Sequence, residues 1–314
     1  LLGLEPRHKA AVIELGASAE GEIAYTAQFA KPDVAIITNV SSAHLEGFGS
    51  IETIMQTKGE IIDSLSDDGC AVLNADDTFY ADWLLRAGSR RVLSFGIQNY
   101  ADVTAKNIIC DENGSQFDVV YQSKEGTELV QSCHIPLLGQ HNVLNALSAI
   151  AAGLALGLEL EKITTQLATL PMVNGRLQWV DGEGQIRILN DSYNASPASM
   201  QAALDAAASY NADNLLVIAS DMLELGDDGP RYHREVGKHL SNLGIERVIA
   251  VGELSAHIKD SCSVQALHFS DTNELLADCP DFFQDETILV KGSRGMQLDR
   301  FVTSMTSSLG DAKC

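Results

Sequence analysis

The 314-residue sequence lacks the features that mark membrane-spanning, secreted and zinc-binding proteins. No apolar run approaches the ~20 residues that cross a bilayer, and no signal-peptide pattern opens the chain. The six cysteines are scattered without a Cys-x-x-Cys pair, so neither a zinc site nor a disulfide framework is indicated. We therefore expect a cytoplasmic protein with reduced thiols and no membrane insertion.

Positive charge is also scarce. The chain carries 21 Lys and Arg residues against 43 Asp and Glu residues, which gives a net charge of −22. The mean field of such a chain repels phosphate groups, so nucleic acid and anionic membranes are disfavoured as partners. A local cationic pocket for a single nucleotide is compatible with this charge.

Two glycine-rich fingerprints of nucleotide binding are missing as well. The only Gly-Lys pair, Gly237-Lys238, is followed by His239 and so does not form a P-loop. The segment Gly182-Glu183-Gly184 has Arg187 where a dinucleotide fingerprint needs its third glycine. A nicotinamide-dependent dehydrogenase is therefore poorly supported.

What the sequence does contain is an alternation of strand-like and helix-like segments, which is typical of a doubly wound parallel sheet. In the first half we predict strands over residues 10–15, 34–38, 70–74 and 91–95, and helices over 51–65 and 80–87. Residues 101–136 contain alternating runs separated by tight-turn pairs, which predicts an antiparallel β-meander. Two helices are predicted after it, over residues 142–156 and 160–170.

A second α/β pattern follows a linker over residues 171–176. We predict strands over residues 186–190, 215–219, 247–251, 266–269 and 287–290, and helices over 197–210, 231–243, 273–277 and 296–304. Two domains are thus expected, covering residues 1–174 and 175–314, because a domain usually has ~100–200 residues. The linker near Asn174-Gly175 is the expected hinge between them.

Lys58 stands out within the helix predicted over residues 51–65. The apolar positions of that helix are 51, 54, 55, 61, 62 and 65, and their spacing predicts another apolar residue at 58. A buried lysine is costly unless it has a partner or altered chemistry, so this position suggests an active site. The alternative is a lysine that packs its stem against the protein and keeps its ammonium group in water.

Other chemically active groups lie close to Lys58 in the predicted fold. His44 and Glu46 follow the strand predicted over residues 34–38, and Glu14 ends the strand predicted over 10–15. The carboxyl ends of adjacent parallel strands meet at one edge of a sheet, where open α/β sheets bind ligands. Glu60 is either a supporting group at this edge or a solvated helix carboxylate.

Eight motifs, taken in their order, resemble those of the Mur ligases, the ADP-forming amide ligases of peptidoglycan synthesis, and together they span essentially the whole chain. They are Val12-Ile13-Glu14-Leu15-Gly16-Ala17, Ala43-His44-Leu45-Glu46-Gly47-Phe48-Gly49, Lys58-Gly59-Glu60, Gly139-Gln140-His141-Asn142-Val143-Leu144-Asn145-Ala146, Asn174-Gly175-Arg176, Asp191-Ser192-Tyr193-Asn194-Ala195-Ser196-Pro197, Asp221-Met222-Leu223-Glu224-Leu225-Gly226 and Lys291-Gly292-Ser293-Arg294.

The resemblance implies an α/β fold with a central ATPase-type parallel-sheet domain that includes a small β-meander, followed by a Rossmann-like α/β C-terminal domain. It implies an ATP-dependent ligase that forms an amide through an acyl phosphate. The second and sixth motifs have the form found in the member that joins D-Ala-D-Ala to UDP-N-acetylmuramoyl-tripeptide. Those two molecules are the expected partners, and a monomer is expected.

The same resemblance implies two magnesium sites. Glu14 and His44 are the expected ligands of magnesium, and Lys58 would bind a second ion as a carbamate. His44 is an uncommon choice, because Mg²⁺ prefers oxygen ligands. Lys58, His44 and Arg176 are the catalytic residues that the resemblance implies.

Further residues are expected to bind ATP and the incoming dipeptide. For ATP they are Asn142 and Asn145 at the adenine, Arg176 at the phosphates and Asp191 at the ribose. The residues alone leave open that Asn142 caps a helix and that Arg176 forms a surface ion pair. The dipeptide pocket is expected to be bordered by Asn194, Ser196, Asp221, Lys291, Ser293 and Arg294, although Ser196 could equally be an ordinary helix cap.

The resemblance has one large gap, at its N-terminal side. Family members have a domain that holds the UDP-sugar and then a P-loop, both ahead of the position of Leu1, so the central domain is expected to be incomplete. We therefore expect the 314-residue chain alone to be inactive. Two alternatives stay open: a Mur or folylpolyglutamate-synthase-type ligase with a different amine, and a noncatalytic binding module without a P-loop.

Overall fold

The computed structural model describes residues 3–41, 45–123, 126–182, 184–211, 214–278 and 287–306. The first half contains α1 (Glu22–Ala30), β1 (Val34–Ile37), α2 (Leu45–Phe48), α3 (Ile51–Asp63), β2 (Cys70–Asn74), α4 (Tyr80–Ala87), β3 (Arg91–Gly96), β4 (Val103–Asp111), β5 (Gly114–Gln122), β6 (Glu128–Ile135), α5 (Gln140–Ala155) and α6 (Leu160–Leu167). The second half contains β7 (Gln178–Asp181), β8 (Arg187–Asp191), α7 (Pro197–Asn211), β9 (Leu215–Ser220), α8 (Gly229–Asn242), β10 (Arg247–Val251), α9 (Ala256–Ser261), β11 (Gln265–Phe269), α10 (Thr272–Ala277), β12 (Thr287–Lys291) and α11 (Asp299–Thr306).

The first six strands form one sheet in sequence order, β1-β2-β3-β4-β5-β6. β1 to β4 are parallel, whereas β4, β5 and β6 form the predicted antiparallel meander. α5 packs its apolar face on this sheet through Val143, Leu147 and Ile150, which are fully buried. The expected parallel sheet with an attached meander is confirmed.

The second sheet has the order β11-β10-β9-β12-β8-β7. All neighbouring strands are parallel except β7, which runs antiparallel to β8 at the edge. The prediction that the strand near residue 186 opens this sheet is wrong, because β7 precedes it. β7 has only four residues and the half-buried pattern of an edge strand, so its sequence signal is weak.

The strand predicted over residues 10–15 is also wrong. This segment lies outside the sheet, with Val12 99% exposed and Ile13 39% exposed. Within the described residues, β1 is an edge strand that pairs only with β2. An apolar run forms a strand only where a neighbour accepts its backbone hydrogen bonds, and residues 10–15 have no such neighbour in the described chain.

α1 was not predicted, and its capping explains why. Its N-cap is Gly21, which has no side chain to accept a bond from the helix start. Glu60 of α3 performs this task from a distant part of the sequence, since its carboxylate accepts bonds of 2.9 Å from the amides of Gly21 and Ala24. Glu60 therefore has a structural role as a helix cap.

The two halves meet around the loop that joins β6 to α5. Leu138 is 2% exposed and packs with Ala203, Ala206 and Ala207 of α7 inside the core of the second half. A second contact joins Arg187 of β8 to Glu112 in the β4–β5 turn, with both side chains largely exposed. No described helix combines the length and apolar character needed to cross a bilayer.

Helix packing in the second half predicts opposite outcomes for two glycine-to-alanine substitutions. A methyl group on Gly237 of α8 would press against the Ile258 carbonyl and Ser261 Oγ, so Gly237→Ala should lower the free energy of unfolding by about 1–3 kcal/mol. Gly153→Ala in α5 is the control. Its methyl would meet the tip of the Ile163 side chain at 2.7 Å, which can rotate away while alanine favours the helix by up to about 1 kcal/mol. Urea denaturation of both variants measures the difference, and equal losses would contradict the packing described.

Candidate functional site

A buried ion pair lies at the carboxyl edge of the second sheet. Asp191 and Lys291 are register partners at the ends of the parallel strands β8 and β12, which brings their side chains to the same place. Lys291 Nζ lies 2.5 Å from Asp191 Oδ2 and donates a second bond of 3.1 Å to the Asn194 carbonyl. Lys291 is only 2% exposed, and its burial lowers its pKa while Asp191 acts in the opposite direction.

The linker is bonded to this pair. The Leu177 amide donates to Asp191 Oδ1 at 3.1 Å, and the Gly175 carbonyl accepts a bond of 3.1 Å from the Tyr193 amide. Gly175 has φ +73°, and a side chain there would press on Tyr193, so glycine is required. The last residues of the linker are thus fixed to the second sheet.

The start of α5 lies beside the ion pair. The charges of Asp191 and Lys291 both act on His141, and burial is the main cause that lowers the pKa of His141. Asn142 donates from Nδ2 to the Leu138 carbonyl at 2.8 Å and accepts from Asn145 Nδ2 at 3.2 Å. The N-cap of α5 is Gly139, so Asn142 is not the helix cap that was one interpretation of its position.

Tyr193 forms an aromatic platform next to the pair. The Arg176 guanidinium lies 4.3 Å from the centre of its ring, and the Arg294 guanidinium lies 5.5 Å from it. Both distances are within the range of cation–π attraction. The two arginines therefore gather positive charge at an exposed tyrosine of a strongly acidic chain.

A cleft of about 230 Å³ opens beside this platform. Its lining contains more polar than apolar side chains: Tyr193, Asn194, Ala195, Ser196, Leu223, Glu224, Leu225, Ser293, Arg294 and Gly295. Four of the expected dipeptide-binding residues thus lie together. Its polar and charged groups suit a polar ligand, and Ala195, Leu223 and Leu225 give it a small apolar surface.

Two serines that line the cleft also accept hydrogen bonds from the backbone around it. Ser196 Oγ accepts a bond of 3.3 Å from the Ser199 amide, which makes Ser196 the cap of α7. Ser196 is therefore the ordinary helix cap that was one interpretation of its position. Ser293 Oγ accepts a bond of 3.0 Å from the Leu223 amide on the opposite wall. Both residues therefore shape the cleft by fixing its backbone.

Asp221 is placed differently from the other expected dipeptide-binding residues. Its carboxylate is buried and accepts bonds from the Ser255 amide and hydroxyl, both at 2.7 Å, and from the Leu254 amide at 3.2 Å. Gly252, at φ +119°, leaves no room for a side chain against it. The carboxylate thus holds the β10–α9 turn and does not line the cleft.

His233 is a buried polar residue that the sequence reasoning missed. It is fully buried on α8, accepts a bond of 3.0 Å at Nε2 from the Met222 amide, and donates from Nδ1 to the Gly229 carbonyl at 2.7 Å. Burial lowers its pKa. The sequence signal for its burial was the helical spacing of His233 with the apolar residues Val236 and Leu240.

The residues expected at the first sheet do not assemble into a site in the described chain. His44 lies outside the described residues, and Glu14 is exposed on a segment outside the sheet. Lys58 lies between the buried Ile54 and Ile62 on α3, as predicted, and its side chain is exposed, which agrees with the alternative of a packed stem and an ammonium group in water. Desolvation by the surrounding protein nevertheless lowers the pKa of Lys58, while the negative charge of Asp77 acts to raise it.

The described residues do not bring a complete set of magnesium ligands together. The described residues contain no group of three or more His, Cys, Asp or Glu side chains that could hold a metal ion. Glu60, the nearest alternative carboxylate in sequence, caps α1. The expected ligand His44 lies outside the described residues, so these residues show only part of the expected magnesium site.

Comparison with known families gives two matches along the chain. Residues 1–153 match the Mur ligase middle domain, and residues 175–294 match the Mur ligase glutamate ligase domain. The UDP-N-acetylmuramoyl-tripeptide–D-alanyl-D-alanine ligase of Escherichia coli is 39% identical over 311 residues, which cover 97% of this chain and 67% of that protein. The corresponding ligase of Bacillus subtilis is 33% identical over 315 residues, covering 98% and 66%.

Solved structures agree with these matches. MurF from Acinetobacter baumannii has a TM-score of 0.87 and 31% identity, covering 97% of this chain and 66% of that one. MurF ligase from Thermotoga maritima, in complex with ADP, has a TM-score of 0.81 and 26% identity, covering 95% and 67%. The chain thus spans about two thirds of the length of the proteins it matches.

The buried ion pair generates the first prediction about this site. Lys291→Met leaves the Asp191 carboxylate buried without its partner and should lower the free energy of unfolding by about 3–5 kcal/mol. The double variant Lys291→Met/Asp191→Asn should recover part of this loss, because no unpaired charge remains. Arg187→Met is the control, since its ion pair with Glu112 is exposed and worth at most about 1 kcal/mol. Denaturant titration measures all three, and a loss for Lys291→Met no larger than for Arg187→Met would contradict the role of the pair.

The buried His233 and the half-buried His141 predict a pH dependence of stability. His141 and His233 have lowered pKa values in the folded chain, whereas an unfolded histidine binds its proton near pH ~6.5. The unfolded state thus binds more protons below that pH, and the free energy of unfolding should fall as pH drops below about 6.5. His233→Gln should reduce this slope in titrations from pH 8 to pH 5. An unchanged slope would show that His233 does not contribute.

Proposed function

Because the chain belongs to the Mur ligase family, we propose that it provides the nucleotide and amine sites of an ATP-dependent ligase that joins D-Ala-D-Ala to UDP-N-acetylmuramoyl-tripeptide. The observation that carries this proposal is the cleft between Tyr193 and Leu223, beside the junction of the two halves. The similarity to D-alanyl-D-alanine ligases of this family supports the choice of amine.

The cleft suits a short peptide with a free carboxylate. Arg294 provides a guanidinium at its rim, which binds a planar carboxylate with two parallel hydrogen bonds. Ala195, Leu223 and Leu225 provide apolar walls for methyl groups. We assign the terminal carboxylate of D-Ala-D-Ala to Arg294 and its methyl groups to these walls.

The junction suits a nucleotide. Asn142 and Asn145 offer amide groups of the kind that bind a base edge, and Arg176 offers a cation for phosphate. Asp191 already accepts bonds at both oxygens, but an ionised carboxylate has about four acceptor sites and can also bind a ribose hydroxyl. The ADP complex of the Thermotoga maritima relative supports a nucleotide at this family's sites.

The reaction requires activation of a carboxylate, which is a poor acyl donor. The γ-phosphoryl group of ATP is transferred to the tripeptide carboxylate, giving ADP and an acyl phosphate. The neutral amine of D-Ala-D-Ala then attacks the acyl carbon, the amide forms, phosphate leaves and one proton is released. Arg176 would stabilise the charge on the transferred phosphoryl oxygens, and the cleft would hold the amine in position.

We also propose that Lys58 is carbamoylated. A neutral amine is the form that adds to CO₂, giving a carbamate and one proton, and the lowered pKa of Lys58 favours that form. Its exposed side chain gives CO₂ access. We also propose a cytoplasmic location, because Cys110, Cys133 and Cys262 form no disulfide within the described residues.

Phosphate release tests the function. The assay uses ATP, UDP-N-acetylmuramoyl-tripeptide and D-Ala-D-Ala, with the 314-residue chain and with a version extended by the sequence encoded ahead of Leu1. Release that requires the dipeptide is expected from the extended version. Release with single amino acids in place of the dipeptide would favour another ligase, and no release from either would favour a binding module.

Arg294 gives the sharper test of the cleft. Arg294→Gln should raise KM for D-Ala-D-Ala by roughly 10–100-fold with little change in kcat, since a charged hydrogen bond contributes about 1.5–3 kcal/mol. Arg300→Gln is the control, because Arg300 bonds Asn273 on the surface, outside the cleft. An equal KM in both variants would remove Arg294 from the carboxylate site.

A further inference from the structure

One segment of the second half contacts both the cleft and the first half. This segment, Met222–Gly226, is called the cleft loop below. Leu223, Glu224 and Leu225 line the cleft on one side of it. On its other side, the Glu224 carbonyl accepts a bond of 3.4 Å from the Glu46 amide of α2.

The cleft loop is held firmly to the second half. The Met222 amide donates to the buried His233 at 3.0 Å, and the Leu223 amide donates to Ser293 Oγ at 3.0 Å. The Ser293 amide in turn donates to the Asp221 carbonyl at 3.1 Å. Because His233 Nδ1 donates to the Gly229 carbonyl, its Nε2 is the acceptor for the Met222 amide of the loop.

The backbone of the loop is shaped for contact with α2. Glu224 has φ +63° and Gly226 has φ +55°, conformations that a non-glycine residue adopts only at a cost. They turn the Glu224 carbonyl towards α2, and a methyl group added to Gly226 would lie 3.8 Å from Glu46 Cβ. The strained conformation thus coincides with the contact between the two halves.

The Glu46 amide has no competing partner within its own helix. It lies in the first turn of α2, where backbone amides lack an intrahelical acceptor.

We propose that the cleft loop couples occupation of the cleft to the position of α2, with His233 as the positioning residue that holds the loop in its contacting conformation. The proposal rests on the amine site proposed above and adds a route from that site to the first half. A ligand that favours the contacting conformation of the loop would strengthen the Glu224–Glu46 bond, and the same bond would favour ligand binding by an equal factor.

Hydrogen–deuterium exchange of the Glu46 amide tests the contact in the chain as it exists. In the wild-type chain we expect this amide to exchange at least ~10-fold more slowly than an unprotected amide, because Glu224 accepts its hydrogen. His233→Gln should speed its exchange several-fold. His239→Gln is the matched control on the same helix, since His239 bonds Asp205 on the surface of α7 and does not touch the loop. Equal exchange in the two variants would overturn the role of His233.

Addition of D-Ala-D-Ala then tests the coupling. Slower exchange both in the cleft segments and at Glu46 is the expected result. Slower exchange in the cleft without a change at Glu46 would overturn the coupling while the amine site stands. No change in exchange in any segment would count against the amine site. The comparison of His233→Gln with His239→Gln would still decide whether His233 holds the contact.

A substitution pair in α2 covers the case in which His233→Gln fails to fold. Glu46→Pro removes the amide hydrogen at a first-turn position that tolerates proline, whereas Glu46→Ala keeps it. Calorimetry in the extended protein should show weaker D-Ala-D-Ala binding for Glu46→Pro than for Glu46→Ala, by about 3–10-fold. Equal affinities would overturn the coupling.

Discussion

The contact on which the site depends is the buried pair of Asp191 and Lys291. Parallel register alone brings the two residues together at the ends of β8 and β12. The cost of burying two charges is then offset by bonds from Leu177 to the carboxylate and from the ammonium to the Asn194 carbonyl. One ion pair thereby fixes three chain segments: the linker, the turn before α7 and the last residue of β12. The turn before α7 lines the cleft, so the pair helps to fix the position of that wall.

Much of the fold was accessible from the sequence because it depends on local signals. β2, α4 and β10 have the predicted bounds, and Ser50 caps α3 as its sequence indicates, by accepting from the Thr53 amide. Features that depend on contacts between distant parts of the sequence could not be predicted. Gly21 gives no sign of a helix start, because the cap comes from Glu60, and residues 10–15 have strand composition without a strand to pair with.

In the candidate site too, some features could be predicted from the sequence and others depend on contacts that the sequence does not reveal. The resemblance predicted one pocket for Asn194, Ser196, Ser293 and Arg294, and these four residues line one cleft. Side-chain direction was not readable from the motifs. Asp221 follows β9 as expected, yet its carboxylate faces the β10–α9 turn, where Gly252 makes room for it. His233 shows the converse, since its value to the site comes from a single bond to Met222, eleven residues away in sequence.

The contacts between the two halves differ in strength, which limits how the halves can move. Leu138 is inserted in the core against α7, and separating it exposes apolar surface. The Arg187–Glu112 pair is solvated, and the Glu46–Glu224 contact is a single backbone bond, so both break at little cost. The end of the linker is bonded to Tyr193 and Asp191, which makes Gly175 a poor hinge. Separating the two halves would therefore break the Glu46–Glu224 bond at far less cost than it would withdraw Leu138 from the core.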